Sequence, residues 1–123
     1  MAEPRTVNLI LPMPPSSNRY WRTMVTKRGI AVTYVSEEAK IYKQLVKDIA
    51  GIDTLIYSDV AVTVKVFRAR RAGDFHNRRK VLYDALQGVV YVDDKQIVED
   101  HGFRFEDPKH PRVEVEIKVL GLL

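Results

Sequence analysis

Val60, Val62, Val64 and Val66 alternate with Ala61, Thr63, Lys65 and Phe67, the clearest strand signal in the chain. A period of two puts four branched apolar side chains on one face, and such a face has to be covered. A chain of 123 residues has room for a single core, so residues 1–123 are expected to form one domain. The cover must come from amphipathic segments of the same chain, and two are present. Ser36 followed by Glu37 and Glu38 reads as a helix start, with a hydroxyl cap and carboxylates facing the positive end of the dipole. Ile41, Tyr42, Leu45, Val46 and Ile49 then form an apolar stripe that Gly51 ends, with Lys40, Lys43 and Lys47 on the other side as either a solvated face or a set of phosphate contacts. A second helix is expected from about Phe75 to Gln87, burying Val81, Leu82, Ala85 and Leu86 and closed by Gly88.

The remaining segments read as strands. Thr6–Leu11 sets Val7, Leu9 and Leu11 against Thr6, Asn8 and Ile10, and prolines between Pro12 and Pro15 stop it. Tyr20 to Val35 is rich in Thr, Val, Tyr and Trp and is broken by Lys27-Arg28-Gly29, which predicts a hairpin with a basic, exposed tip. The last third predicts another hairpin, with arms Ile97–Phe105 and Arg112–Val119 and a turn over Glu106–Pro111. The class is α+β: two helices packed on a mixed, mostly antiparallel sheet.

Cysteine is absent, which excludes disulfides, thiolate metal sites and a Cys nucleophile. No apolar run approaches the roughly 20 residues of a membrane span, and Glu3, Pro4 and Arg5 precede the first apolar stretch without a signal-peptide pattern. The expected setting is the cytoplasm, with no membrane partner. A domain this small has little room for a deep pocket, which favours a shallow site or one completed by a second subunit.

Twenty Lys and Arg stand against 16 Asp and Glu, a formal charge of only +4. The distribution says more than the sum. Arg68, Arg70, Arg71, Arg78, Arg79 and Lys80 crowd the junction between the best strand and the second helix, with Asp74 and His76 among them. Strand ends that feed helix N-termini are natural anion sites, and such a basic cluster suits a polyanion. At 100° per residue Asn77, Lys80 and Asp84 share a polar sector away from Val81, Leu82 and Leu86. Asp93 and Asp94 follow Tyr91-Val92. Taken singly, Asp74 has a lesser reading as a helix cap paired with an arginine, and Asp93-Asp94 reads more readily as an ordinary turn. Taken together, carboxylates set among Arg and Lys suit a hard cation such as Mg²⁺ that polarises a phosphodiester, with basic residues holding a nucleic-acid backbone. There is no Gly-rich phosphate loop or Ser elbow, and the three histidines lack zinc spacing. His101 reads as a strand residue and His110 as a turn residue.

These residues resemble a known family. Gly73-Asp74-Phe75-His76-Asn77 with Lys80, Asp84-Ala85-Leu86, and Tyr91-Val92-Asp93-Asp94 leading to Gln96-Ile97-Val98 are similar to the RusA family of Holliday junction resolvases. Leu11-Pro12, Pro14-Pro15-Ser16 and Asn18-Arg19-Tyr20 resemble that family's other signature. The resemblance covers nearly the whole chain. It implies a small α+β homodimer, often carried by phages and prophages, that binds branched DNA at four-way junctions and nicks two opposed strands with Mg²⁺. It implies metal ligands at Asp74 and Asp94, phosphate chemistry at Lys80 and a supporting role for Asn77. The family's second aspartate falls on His76, a departure from the pattern. Imidazole suits Mn²⁺ or another transition ion better than Mg²⁺. Three outcomes follow: His76 binds a softer metal, it serves as general base, or the protein binds junctions with weak or no cleavage. On this reading Asp93 and Asp84 are alternate or supporting carboxylates. Arg68, Arg70, Arg71, Arg78, Arg79, Arg19, Lys27 and Arg28 contact DNA, and the Lys27-Arg28-Gly29 tip inserts at the branch point.

Overall fold

Strand β4 (Val60–Arg68) sits inside the sheet, as its four valines require, and all four are fully buried or within 1% of it. A computed structural model of the chain describes residues 6–69 and 75–120, apart from the side chains of Asn18, Phe75 and His76. Around β4 the described elements are β1 (Thr6–Leu11), α1 (Ser17–Tyr20), β2 (Trp21–Val25), β3 (Ala31–Val35), α2 (Glu37–Ala50), α3 (Phe75–Leu86), a 3-10 turn (Asp94–Gln96), β5 (Ile97–Glu106) and β6 (Arg112–Val119). The main sheet has the order β1-β6-β4-β5. Its pairs are antiparallel except β4 with β5, which run parallel. Strands β2 and β3 form a separate two-stranded sheet.

One face of the main sheet meets the helices. The valines of β4, Val113, Val115 and Ile117 of β6, and Leu9 and Leu11 of β1 pack with Tyr42 and Val46 of α2 and Leu82, Ala85 and Leu86 of α3. Burying each such side chain is worth about 1.5–3 kcal/mol, so this layer is the main source of stability. Helix α2 starts as expected, with the Ser36 hydroxyl accepting the Ala39 N–H at 3.1 Å, and ends at Gly51 with φ +58°. The α3 face of Val81, Leu82, Ala85 and Leu86 is buried as expected, and Gly88, at φ +79°, turns the chain just beyond it. Among the described residues no helix is long and apolar enough to cross a membrane.

Two expectations are corrected. The last two strands do not pair as a hairpin, because β4 lies between them. On β5, Asp100, Gly102 and Arg104 stand opposite Val62, Val64 and Val66, on the valine side of the sheet. A strand carrying charge on that side belongs at an edge, whereas the apolar face of β6 can be buried from both sides. Parallel pairing of β4 and β5 needs a crossover, which α3 and residues 87–96 supply. The chain then passes over the end of β4. The Asp107 N–H donates to the Arg68 carbonyl at 2.8 Å, and Arg112 donates to Asp107 and to the His110 carbonyl, both at 2.9 Å. The second correction concerns α2. Its inward residues are Ala39, Tyr42 and Val46, while Ile41, Leu45 and Ile49 face outward at 67%, 40% and 43% exposure. The apolar sector is wider than the strip of helix the sheet can touch. Lys40 and Lys47 are solvated, but Lys43 is half-buried and its ammonium reaches the Asp84 carbonyl at 3.4 Å.

Candidate active site

The polar sector of α3 faces protein. Asn77 accepts a hydrogen bond from the Ser17 hydroxyl, the Lys80 ammonium lies 5.5 Å from the centre of the Trp21 ring, and Asp84 accepts from the Tyr20 hydroxyl. The three residues that helical spacing grouped are thus matched, turn for turn, by the segment 17–21. Tyr20 is completely buried in a small cluster with Ala39 and Val81, with Trp21 against it at 4.7 Å between ring centres. Burial, aided by the neighbouring Asp84 carboxylate, pushes the Tyr20 hydroxyl up, so it remains a donor to Asp84. Lys80 keeps its ammonium at an exposed position beside an aromatic face, an arrangement that holds a cation without cancelling its charge.

Asp94 is positioned from the other side by a dense set of backbone bonds. Asp93 caps the 3-10 turn by accepting the Lys95 N–H at 2.9 Å, and the Gln96 side chain accepts the N–H groups of Val92 and Asp93 at 2.9 Å each. This is a reciprocal capping box. The Gln96 amide also donates to the carbonyls of Ile56 and Ser58, both at 2.8 Å, and Gln87 accepts the Asp94 N–H at 3.2 Å. Partial burial first, and then the neighbouring Asp93 and Asp84 carboxyls, raise the Asp94 carboxyl above its ordinary 3.8. The backbone bond from Lys95 lowers Asp93 instead. Tyr91, buried beneath and donating to the Tyr83 carbonyl at 2.6 Å, also feels Asp94, Asp84 and Asp93. Three carboxylates therefore share one neighbourhood.

Carboxylate oxygens are the donors a hard divalent cation takes, and the raised Asp94 carboxyl already feels Asp93 and Asp84. Among the described residues no group of three or more His, Asp or Glu converges closely enough to hold an ion. Asp74, Arg70, Arg71 and the His76 side chain lie outside the described residues.

The remaining basic residues divide into two sets. Arg68 pairs with Glu106 at 3.7 Å, Arg78 donates to the Pro14 carbonyl, and Arg79 meets both Asp100 and the Tyr83 ring. Side chains of Arg68 and Arg79 are only 15% and 14% exposed, so these guanidiniums support the fold directly. Arg19, Lys27 and Arg28 are exposed, Arg19 with an ion pair to Glu38 at 3.2 Å. His101 lies exposed on β5, 3.4 Å from Glu99, and the His110 N–H donates to Asp107 in the crossing turn. Residue-level reading did not foresee Ser17, Tyr20, Trp21, Gln87 or Gln96 as positioning residues. Of these, Gln96 carries a readable signal, the Asp-x-x-Gln spacing of a capping box.

A family model described as Endodeoxyribonuclease RusA matches residues 12–118. The chain belongs to the RusA family. It is 32% identical over 121 residues to the crossover junction endodeoxyribonuclease RusA of Escherichia coli strain K12, covering 94% of this chain and 97% of the relative. The protein of the same name from Enterobacteria phage 82 is 31% identical over 122 residues with the same coverage, and that of Shigella sonnei strain Ss046 is 31% identical over 121. The match runs from the proline segment before α1 into the last strand, so every residue of the candidate site lies inside it.

Proposed function

We propose that this RusA-family chain is a crossover junction endodeoxyribonuclease, which hydrolyses phosphodiesters at four-way DNA junctions as a metal-dependent homodimer. The observation that carries the reading is the match to named junction endonucleases over nearly the full length of the chain, and within it Asp94, which feels the Asp93 and Asp84 carboxylates, with Lys80 one turn before Asp84 on α3. Asp74, Asp94 and His76 would hold a divalent cation, Mg²⁺ or, because imidazole is a softer donor, Mn²⁺. When bound, that ion supplies Lewis-acid polarisation of the scissile phosphate and a water made more acidic.

The chain's own residues do the rest. Gln96 and Gln87 fix the backbone at Asp93 and Asp94, so the carboxylate is presented without reorganisation. Lys80 places a positive charge where negative charge grows on the phosphate, and Trp21 keeps it there. Asn77 and Asp84, held by Ser17 and Tyr20, keep α3 in register with the segment that precedes β2. Arg19, Lys80, Arg70 and Arg71 supply contacts to the DNA backbone. Arg68, Arg78 and Arg79 contribute from positions that their protein partners fix.

A second reading is favoured by one residue. With histidine at position 76 in place of a family aspartate, the protein binds junctions and cuts weakly or not at all. Incubating a synthetic four-way junction with Mg²⁺ and separately with Mn²⁺ decides between them. The nuclease reading predicts nicks in at least one metal and loss of at least 100-fold in rate for Asp94→Asn. Binding without cleavage in both metals establishes the second reading, and Mg²⁺-dependent cutting gained by His76→Asp would identify the cause.

A further inference from the structure

The β2–β3 hairpin is an arm that the other described residues leave uncovered. Residues 22–25 and 27–35 are all exposed, including Met24 at 52%, Val32 at 40% and Tyr34 at 46%. A lone two-stranded sheet is marginally stable in water, yet this one is well anchored and well turned. At its root, Ser36 donates from its backbone to the Tyr20 carbonyl and from its hydroxyl to the Arg19 carbonyl, at 2.9 and 2.6 Å. At its tip Thr26 N–H donates to the Ile30 carbonyl at 2.8 Å, and Gly29 takes φ +79°, where any side chain would be strained. Root residues Tyr20 and Trp21 are the same ones that touch Asp84 and Lys80. Five residues per strand extend the arm about 17 Å from the site.

Cross-strand register sorts its side chains. Arg22 stands opposite Tyr34, and Met24 opposite Val32, so these four share one face. From Tyr20 to Val35 there is no acidic residue, while Arg22, Lys27 and Arg28 carry three positive charges. A face that is aromatic, apolar and cationic, with no carboxylate, is complementary to a polyanion that also exposes flat apolar surfaces. Continuous duplex DNA hides its base faces by stacking. A branch point, where stacking is interrupted, does not.

We infer that the arm reads the branch: Tyr34, Met24 and Val32 pack on bases unstacked at the junction centre, while Arg22, Lys27 and Arg28 hold the flanking phosphates. This inference rests on the junction-endonuclease reading and adds to it the source of the preference for branched over linear DNA. Base–aromatic contacts of this kind tolerate sequence, so the preference follows shape.

The test uses the whole chain with a four-way junction and a duplex of the same arm sequence, in a buffer without divalent metal so that neither is cut. The Met24→Ser/Tyr34→Ser variant changes exposed positions only, and an unaltered thermal unfolding curve verifies its fold. Expected is a loss of about tenfold or more in junction affinity, the scale of one lost base contact, with duplex affinity changed less than twofold. Fluorescence of 2-aminopurine placed at the branch should rise on binding the unaltered chain and rise less with the variant. Lys27→Ala/Arg28→Ala should weaken both substrates and lower the salt slope by about two. Equal losses on junction and duplex, or unchanged junction affinity, overturn the inference while leaving the nuclease reading intact. A shift from dimer to monomer in the Met24→Ser/Tyr34→Ser variant would instead make this face a contact between copies and overturn it too. Failure of the unaltered chain to bind either DNA defeats the underlying reading itself.

Discussion

Tyr20 is the residue through which the fold and the site depend on each other. Its ring is buried with Ala39 and Val81, and its hydroxyl donates to Asp84. Tyr20→Phe keeps the packing and deletes one charge-assisted hydrogen bond, so it should lower stability by about 1.5–3 kcal/mol in denaturant unfolding. It should also slow junction cleavage, because Asp84 and the neighbouring Lys80 lose their fixed relation to the arm root. Lys80→Ala should leave stability within about 0.5 kcal/mol, since the residue is exposed, and reduce the cleavage rate by about 100-fold or more. The contrast between the two separates positioning from direct contact with the phosphate. Helical spacing was enough to group Asn77, Lys80 and Asp84. Nothing local could tell that Ser17, Trp21 and Tyr20 would meet them, since those contacts join residues some 60 positions apart and are made only when α1 packs on α3.

At the scale of elements, strand and helix positions were legible because each is written in local periodicity and caps, and so was the β2–β3 hairpin with its short turn, whereas the partners of the main-sheet strands were not. β5 and β6 follow one another and both alternate, so a hairpin was the economical expectation. The charged valine-side positions Asp100 and Arg104, which send β5 to the edge, become informative only once β4 is known to lie between. The crossing turn makes this arrangement testable through pH. Its Arg112 guanidinium, bonded to Asp107, holds that carboxyl below its ordinary 3.8, helped by the His110 N–H. The folded value is depressed, so the stabilisation is present above the ordinary value and is lost as pH falls through the folded one. Titration followed by carboxyl NMR should place Asp107 below 3.8 in the native chain, and Arg112→Gln should return it towards the ordinary value. The 3-10 turn gives a second test at this scale. Gln96→Leu removes the acceptor of two N–H groups and the donor to two carbonyls. It should cost about 2–4 kcal/mol and reduce cleavage further than the stability loss accounts for, because Asp94 loses its fixed backbone.

At the scale of the molecule, the described residues include an exposed basic arm and a ten-residue edge strand, β5, with Val98, Phe103 and Phe105 exposed. A long edge with apolar side chains invites pairing, and a two-fold pair of copies matches the two-fold relation of opposed strands in a junction. The modest charge of +4 is no measure of DNA affinity here, since the arm concentrates positive charge and the neighbourhood of Asp94 concentrates negative charge. What was legible in the sequence was a different grouping, a basic cluster over Arg68–Lys80 with Asp74 set into it. The internal use of Arg68, Arg78 and Arg79 was not, because ion pairing to Glu106 and Asp100 and the bond to the Pro14 carbonyl depend on tertiary placement. Metal-dependent, paired cleavage of a junction by this chain is the claim on which the rest depends. A supercoiled plasmid with an extruded cruciform tests it most directly. With Mg²⁺ or Mn²⁺ the chain should convert the plasmid to linear product by nicks in two opposed strands within one encounter, and Asp94→Asn should give none. No cutting in either metal despite intact junction binding, or accumulation of nicked circles alone, would contradict the account.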